Sequence, residues 1–271
     1  NSGKEIKVVN EVPLTEIMPK GFSSVRKGKR NMSWRSDKPA TLSYVIALDE
    51  GDQANKVAFR GELFQWEAPF TSEATSITKI QQRFSGMIWG NETLAIVYDD
   101  WYDTRNTKTY LINPSNPSQA PKIIFDRNSQ DIYSDPGNFE TKKNQFNREV
   151  LAIENGNTYL IGDGNTKDGQ FPFIDEFNLE TLKSKRLYTS KMKDKKEDLL
   201  GIEDFKKGEV LVMIQSKNDY PNYYFRNIKS KDKLRQITFF ANPFESIKDV
   251  YKEVIKYKRK DGVDLTGTLY L

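Results

Sequence analysis

Residues 91–100 read NETLAIVYDD, and how this stretch is read decides the fold. If it is extended, Leu94, Ile96 and Tyr98 lie on one side and Ala95 and Val97 on the other, because successive strand side chains point to opposite faces. Both faces are then apolar, and such a strand must be covered from both sides. Three other stretches have the same character: PATLSYVIAL from Pro39, REVLAIENGNTYLIG from Arg148 and GEVLVMIQSK from Gly208. Aligned on Leu42, Leu94, Leu151 and Leu211, the four recur at intervals of about 50–60 residues.

Between them lie segments that alternate more plainly between polar and apolar. These are ELFQWEAPF with SITKIQQRF, TKTYLINP with APKIIFDR, FPFIDEFNLETLKSKRLYTS, and YYFRNIKSKDKLRQITFF. Each reads as strand, turn, strand. An inner strand apolar on both faces, followed by half-exposed strands at this period, is the pattern of a propeller blade. A sandwich is the competing all-β reading, and the period favours the propeller. The expectation is an all-β fold, a partial β-propeller of about four blades of four strands over residues 1–245. A complete propeller carries about 4–8 blades, so either the ring is small or blades lie upstream. Residues 246–271 change texture into a linker and a hairpin, Lys252–Lys258 into Val263–Leu271 through Asp261-Gly262. An apolar last strand with no neighbour to pair is an aggregation hazard, so the sequence is expected to continue into a second domain.

The 271 residues contain no cysteine and no histidine, which excludes Cys/His zinc sites and a complete Ser-His-Asp triad within them. Basic residues number 42 and acidic 38, interspersed, so no stripe suited to nucleic acid stands out. No apolar run approaches the ~18 residues of a membrane span. Neither a nucleic-acid nor a membrane partner is expected, and no cofactor or metal. SKMKDKKEDLLGIEDFKKGE, residues 190–209, reads as a solvated loop or short helix. GDGNTKDGQ, residues 162–170, lacks the Lys-Ser/Thr of a phosphate loop and reads as a surface turn. Asp126, Asp131 and Asp135 offer oxygens, but the EF-hand spacing is not met and two turns are the simpler reading. In WRSDKPATL, Trp34 at the head of a blade reads as core packing.

The densest chemistry is VYDDWYDTRNTKTY, with Asp99, Asp100, Trp101, Tyr102, Asp103 and Arg105 at a strand end. One reading is a charged turn whose aspartates take backbone N–H bonds and whose arginine pairs with them. The other is a channel rim, where Arg105 attracts an acidic peptide side chain. Tyr102, Arg105 and Arg127 are the substrate-channel candidates. Asp99 and Asp100 do not suit acid–base work as a pair, since adjacent strand residues face opposite sides.

Long phrases also carry a likeness. KEVIKYKRKDGVDLTGTLYL, residues 252–271, resembles the lead into the catalytic domain of S9 (prolyl oligopeptidase) serine peptidases, in their glutamyl endopeptidase-like branch. VRKGKRNMSWRSDKPATLSYVIALDEGD, GMIWGNETLAIVYDDWYDTRNTKTYLINP and IIFDRNSQDIYSDPGNF resemble the propeller of that branch, so the likeness runs from about Val12 to Leu271. It implies a propeller that restricts access to an α/β-hydrolase domain in cis, a peptide substrate for the parent enzyme, and cleavage near glutamate. The departure is as informative: no G-x-S-x-G elbow occurs, and the later Asp and His are absent. No catalytic residue is carried over, and the chain alone is expected to be inactive. The relatives imply an exported or periplasmic bacterial enzyme, with the cytoplasm as the alternative. A stand-alone propeller that binds a protein or peptide is the rival functional reading.

Overall fold

The computed structural model describes residues 3, 5, 7–230 and 233–271; residues 231 and 232, in the turn expected within YYFRNIKSKDKLRQITFF, lie outside it. Among the described residues the regular structure is strand, with three short 3-10 turns. The first sheet runs β1 (Arg30–Trp34), β2 (Thr41–Ala47), β3 (Gly61–Glu67) and β4 (Thr75–Ile80), in chain order and antiparallel. The second repeats this with β5 (Arg83–Asn91), β6 (Leu94–Trp101), β7 (Asn106–Ile112) and β8 (Lys122–Asn128). Next come β9 (Asn138–Phe139), a small hairpin of β10 (Thr141–Lys143) and β11 (Glu149–Leu151), then β12 (Asn157–Gly162). Two short pieces, β13 (Asn165–Thr166) and β14 (Gly169–Gln170), precede β15 (Phe173–Asn178) and β16 (Ser184–Thr189). The third sheet is ordered β16-β15-β12-β9. The fourth is β17 (Lys196–Asp204), β18 (Glu209–Gln215), β19 (Asn222–Asn227) and β20 (Lys233–Gln236). Among the described residues, β21 (Lys252–Lys258) and β22 (Asp264–Tyr270) pair only with each other.

The chain divides into two compact units, residues 1–168 with 173–187, and residues 169–172 with 188–271. In the first, β6 behaves as its pattern requires. Ala95 and Val97 pack with Val45, Leu63, Ile77 and Ile80 of the first sheet. Ile96, on the opposite face, packs with Phe139, Leu151, Leu160 and Phe177 around the third sheet, with Leu94 and Tyr98 against the same cluster. Ile96 is fully buried, and full burial of such a side chain contributes roughly 1.5–3 kcal/mol. Sheets stacked face to face in chain order, each a four-stranded meander, are propeller blades. In the second unit, β18 buries Val210, Val212 and Ile214 along one face.

Four expectations are corrected. The doubly apolar strands stand second in their blades, paired along both edges; β1, β5 and β17 precede them. The third repeat is also out of register. Leu151 sits on β11 opposite Thr141, and the turn Glu154-Asn155-Gly156-Asn157 separates it from β12. Asn155 (φ 53°) and Gly156 (φ 78°) are both left-handed, the type I′ geometry that Asn-Gly favours. The structural counterpart of Ile96 is thus Leu160, also fully buried.

The lysine-rich stretch, in turn, is neither loop nor helix over residues 196–204, which form β17. Its Glu197 is buried and accepts from Arg226 Nε at 2.7 Å and Tyr188 OH at 2.8 Å, so one of its charges belongs to the interior. Trp34 is not core: it is 52% exposed, beyond an irregularity in β1 where Asn31 takes φ 51°. Arg35 is the residue that turns inward, fully buried, bonded to Asp37 and lying 4.1 Å from the Trp89 ring.

Candidate functional site

The ends of β2 and β6 and the starts of β1, β5 and β7 gather at one end of the first two blades. β6 and β7 are joined by residues 102–105, closed by Trp101 opposite Asn106. Arg105 has φ 55°, and its N–H bonds Tyr102 O at 3.3 Å. This turn lays the guanidinium 3.7 Å from the centre of the Tyr102 ring. The other partner of Tyr102 is Phe22, stacked at 4.4 Å with 22° between planes. Phe22, Tyr102 and Arg105 therefore form a stack reaching solvent, and Arg105 makes no ion pair among the described residues. A guanidinium on an aromatic face keeps its N–H edge free for a carboxylate.

Arg127 stands on the neighbouring strand β8, opposite Thr107, with its side chain turned to the loop that follows β8. Its Nη2 bonds Asp135 at 2.6 Å and its Nη1 bonds the carbonyls of Asn128 and Asp131 at 3.3 Å, bracing the loop after β8. Asp131 and Asp135 each accept a backbone N–H in that loop, from Tyr133 and Gly137, as turn residues do.

Asp99 and Asp100 point opposite ways, Asp99 buried and Asp100 exposed. Asp99 Oδ2 accepts from Gln82 N at 2.9 Å and from Tyr110 OH at 2.8 Å, while Oδ1 has no partner among the described residues. Burial outweighs those two bonds and pushes the carboxyl up to about 6. Burial and then the Asp99 charge push the Tyr110 phenol up in turn. Beside this pair a shallow cleft of about 440 Å3 is lined by Arg60, Gln82, Trp101, Asn106, Lys108 and Asp126 among others. A hydrogen bond from Asn106, then Lys108, holds the Asp126 carboxyl below its ordinary value.

The residues that sequence reasoning missed lie underneath. Arg83 clasps Asp49 with both terminal nitrogens, each at 2.7 Å, and Arg60 adds a third bond at 2.7 Å. Burial pushes the Asp49 carboxyl upward, but the two arginines outweigh it and hold the carboxyl below its ordinary value. The Arg60 guanidinium also stacks 4.0 Å from the Trp101 ring. Held by Asp49, the Arg60 guanidinium braces Trp101, and with it the start of the 102–105 turn. The members of this cluster come from separate segments, and no spacing rule links them; the one local hint was an arginine opening an apolar strand, at Arg83.

Comparison with known proteins adds a lineage. The chain is 38% identical over 287 residues to a probable chloroplastic glutamyl endopeptidase of Oryza sativa subsp. japonica, an alignment spanning 99% of this chain and 30% of the relative. Over nearly its whole length the chain is similar to that glutamyl endopeptidase. A second such relative, from Arabidopsis thaliana, is 36% identical over 288 residues, again covering 99% of the chain and 30% of the relative. The chain thus spans about a third of the length of these glutamyl endopeptidases. No known family profile matches. Oligopeptidase B from Leishmania major is a remote structural likeness, with TM-score 0.46 and 7% identity over 88% of this chain and 38% of that one. Both curated relatives are plant proteins described as chloroplastic, which corrects the expectation of a bacterial enzyme. No helix among the described residues is long and apolar enough to cross a membrane.

Proposed function

We propose that this chain is the access-restricting propeller of a glutamyl endopeptidase-like serine peptidase whose catalytic groups lie in other residues of the parent. One observation carries the reading. The chain aligns over 99% of its length with peptidases more than three times as long, yet contains no histidine to serve as general base. In this reading blades occupy residues 1–245, and residues 246–271 lead into an α/β-hydrolase domain. Tyr102 and Arg105 contact the peptide, with Arg105 facing an acidic side chain, and Arg127 shapes the adjoining loop. A stack of rigid sheets admits an unfolded segment and rejects a folded domain on size alone.

The test uses the full-length parent and one glutamate-containing cleavage sequence, offered as a free decapeptide and inside a loop of a stable folded domain. The free peptide should be cleaved at least about tenfold faster in kcat/KM, a barrier difference of about 1.4 kcal/mol. Equal rates would refute the restriction. In the same enzyme Arg105→Ala should raise KM for an acidic peptide about two- to five-fold, as expected for an exposed ion pair, with kcat and Tm unchanged. An unchanged KM removes Arg105 from the reading.

A further inference from the structure

Arg30, the first residue of β1, is 5% exposed, and two of its guanidinium nitrogens, Nε and Nη2, are buried without a hydrogen-bond partner among the described residues. The remaining one, Nη1, bonds Asn31 Oδ1 at 3.0 Å, a neutral acceptor on an exposed residue. Burial and then the nearby Arg83 charge push the Arg30 guanidinium down to about 10, so it stays charged at neutral pH. Asp49 is the carboxylate facing it, but Asp49 already takes Arg83, Arg60 and the Gly51 N–H. Arg30, Arg60 and Arg83 therefore share one negative charge, and Arg26 adds to the positive field. A buried cation without its counter-charge is costly, and charge compensation has to come from outside these residues.

Space for it adjoins. A cleft of about 360 Å3 opens between β1 and β5, lined by Asn31, Met32 and Ser33 on one side and Phe84, Ser85 and Gly86 on the other, with residues of β2, β3 and β4 completing it; Arg30 does not line it and meets it through Asn31. Asn31 belongs both to this cleft and to the shell of Arg30. Its left-handed backbone (φ 51°) sits at the irregularity in β1, where its side chain can leave without breaking a ladder bond. We propose that Arg30 and this cleft bind a small oxyanion of the carboxylate or phosphate type, one oxygen of which replaces Asn31 Oδ1 on the guanidinium. Serine hydroxyls lining the cleft supply further donors.

The test is thermal unfolding of the 271-residue chain at pH 7 and constant ionic strength, with chloride exchanged stepwise for acetate or inorganic phosphate. The expected result is a saturable rise in Tm of roughly 3–5 °C with at least one of them. The non-saturating effect of excluded salts is distinguished by its shape. Response to acetate alone assigns a carboxylate, and response to phosphate alone a phosphate group. Arg30→Met should lose the saturable part and, in chloride, melt no lower than the parent chain. A flat response to both anions, or the same saturable rise in Arg30→Met, overturns the site. If Arg30→Met does not fold, Asn31→Gly decides, because it tolerates the left-handed backbone and removes the competing oxygen. The half-saturating concentration should fall several-fold, and an unchanged value overturns the proposal.

Discussion

Replacing Asp99 by Asn tests the electrostatics of the second blade more sharply than any surface substitution. The folded carboxyl titrates at about 6 against an ordinary 3.8, because burial outweighs the bonds from Gln82 and Tyr110. Between those values the folded chain holds a proton that the unfolded chain has released. Stability from this group is therefore full below about pH 4 and is lost as pH rises through 6. The gap corresponds to roughly 3 kcal/mol at most. Both donors reach the same atom, Oδ2, so an asparagine with its carbonyl oxygen there keeps both bonds. Its NH2 then occupies the position of the unpartnered Oδ1, where a donor without an acceptor costs about 1–2 kcal/mol. Asp99→Asn should thus be about 1–2 kcal/mol more stable than the parent at pH 7, with the advantage shrinking to nothing or reversing near pH 4. Urea unfolding of both chains from pH 4 to 7.5 measures this directly. A stability difference independent of pH, or an asparagine chain weaker at pH 7 by more than 1 kcal/mol, would refute the reasoning.

Two further outcomes follow from the packing. Ile96→Ala opens a void between the second and third blades and should cost about 2–5 kcal/mol, read as a lower urea midpoint with unchanged spectra at zero denaturant. Asp49→Ala strips Arg83 and Arg60 of their carboxylate and should cost about 3–5 kcal/mol, whereas an exposed pair such as Lys27–Glu50 should be worth at most about 1 kcal/mol; a double-mutant comparison by thermal melt separates the two cases.

What could be read in the sequence was periodic. Leu94 to Tyr98 announced a strand covered on both faces because two-residue alternation needs no knowledge of the partners. β17 was hidden because KEDLLGIED carries charges on both faces and pairs through two irregularities, which breaks alternation. The third blade was misaligned because Glu149–Leu151 and Asn157–Gly162 are both apolar, and the turn between them is only an Asn-Gly step. Tyr102 and Arg105 were legible as neighbours in one short turn. That Arg105 stacks on Tyr102, while Arg127 serves a different loop, depends on a left-handed backbone and on Asp135, and neither leaves a periodic trace. Asp49, Arg60 and Arg83 meet only in space.

The two faces of β6 differ in size as well as in company. Toward the first blade it offers Ala95 and Val97; toward the third it offers Leu94, Ile96 and Tyr98. A one-residue slip would exchange those sets, driving isoleucine and tyrosine into room left for alanine while leaving voids on the far side. An all-valine strand would satisfy the hydrophobic pattern equally well and permit either register. The asymmetry of bulk is what makes this strand a key with one orientation, and it ties the alignment of the second blade to both neighbours at once.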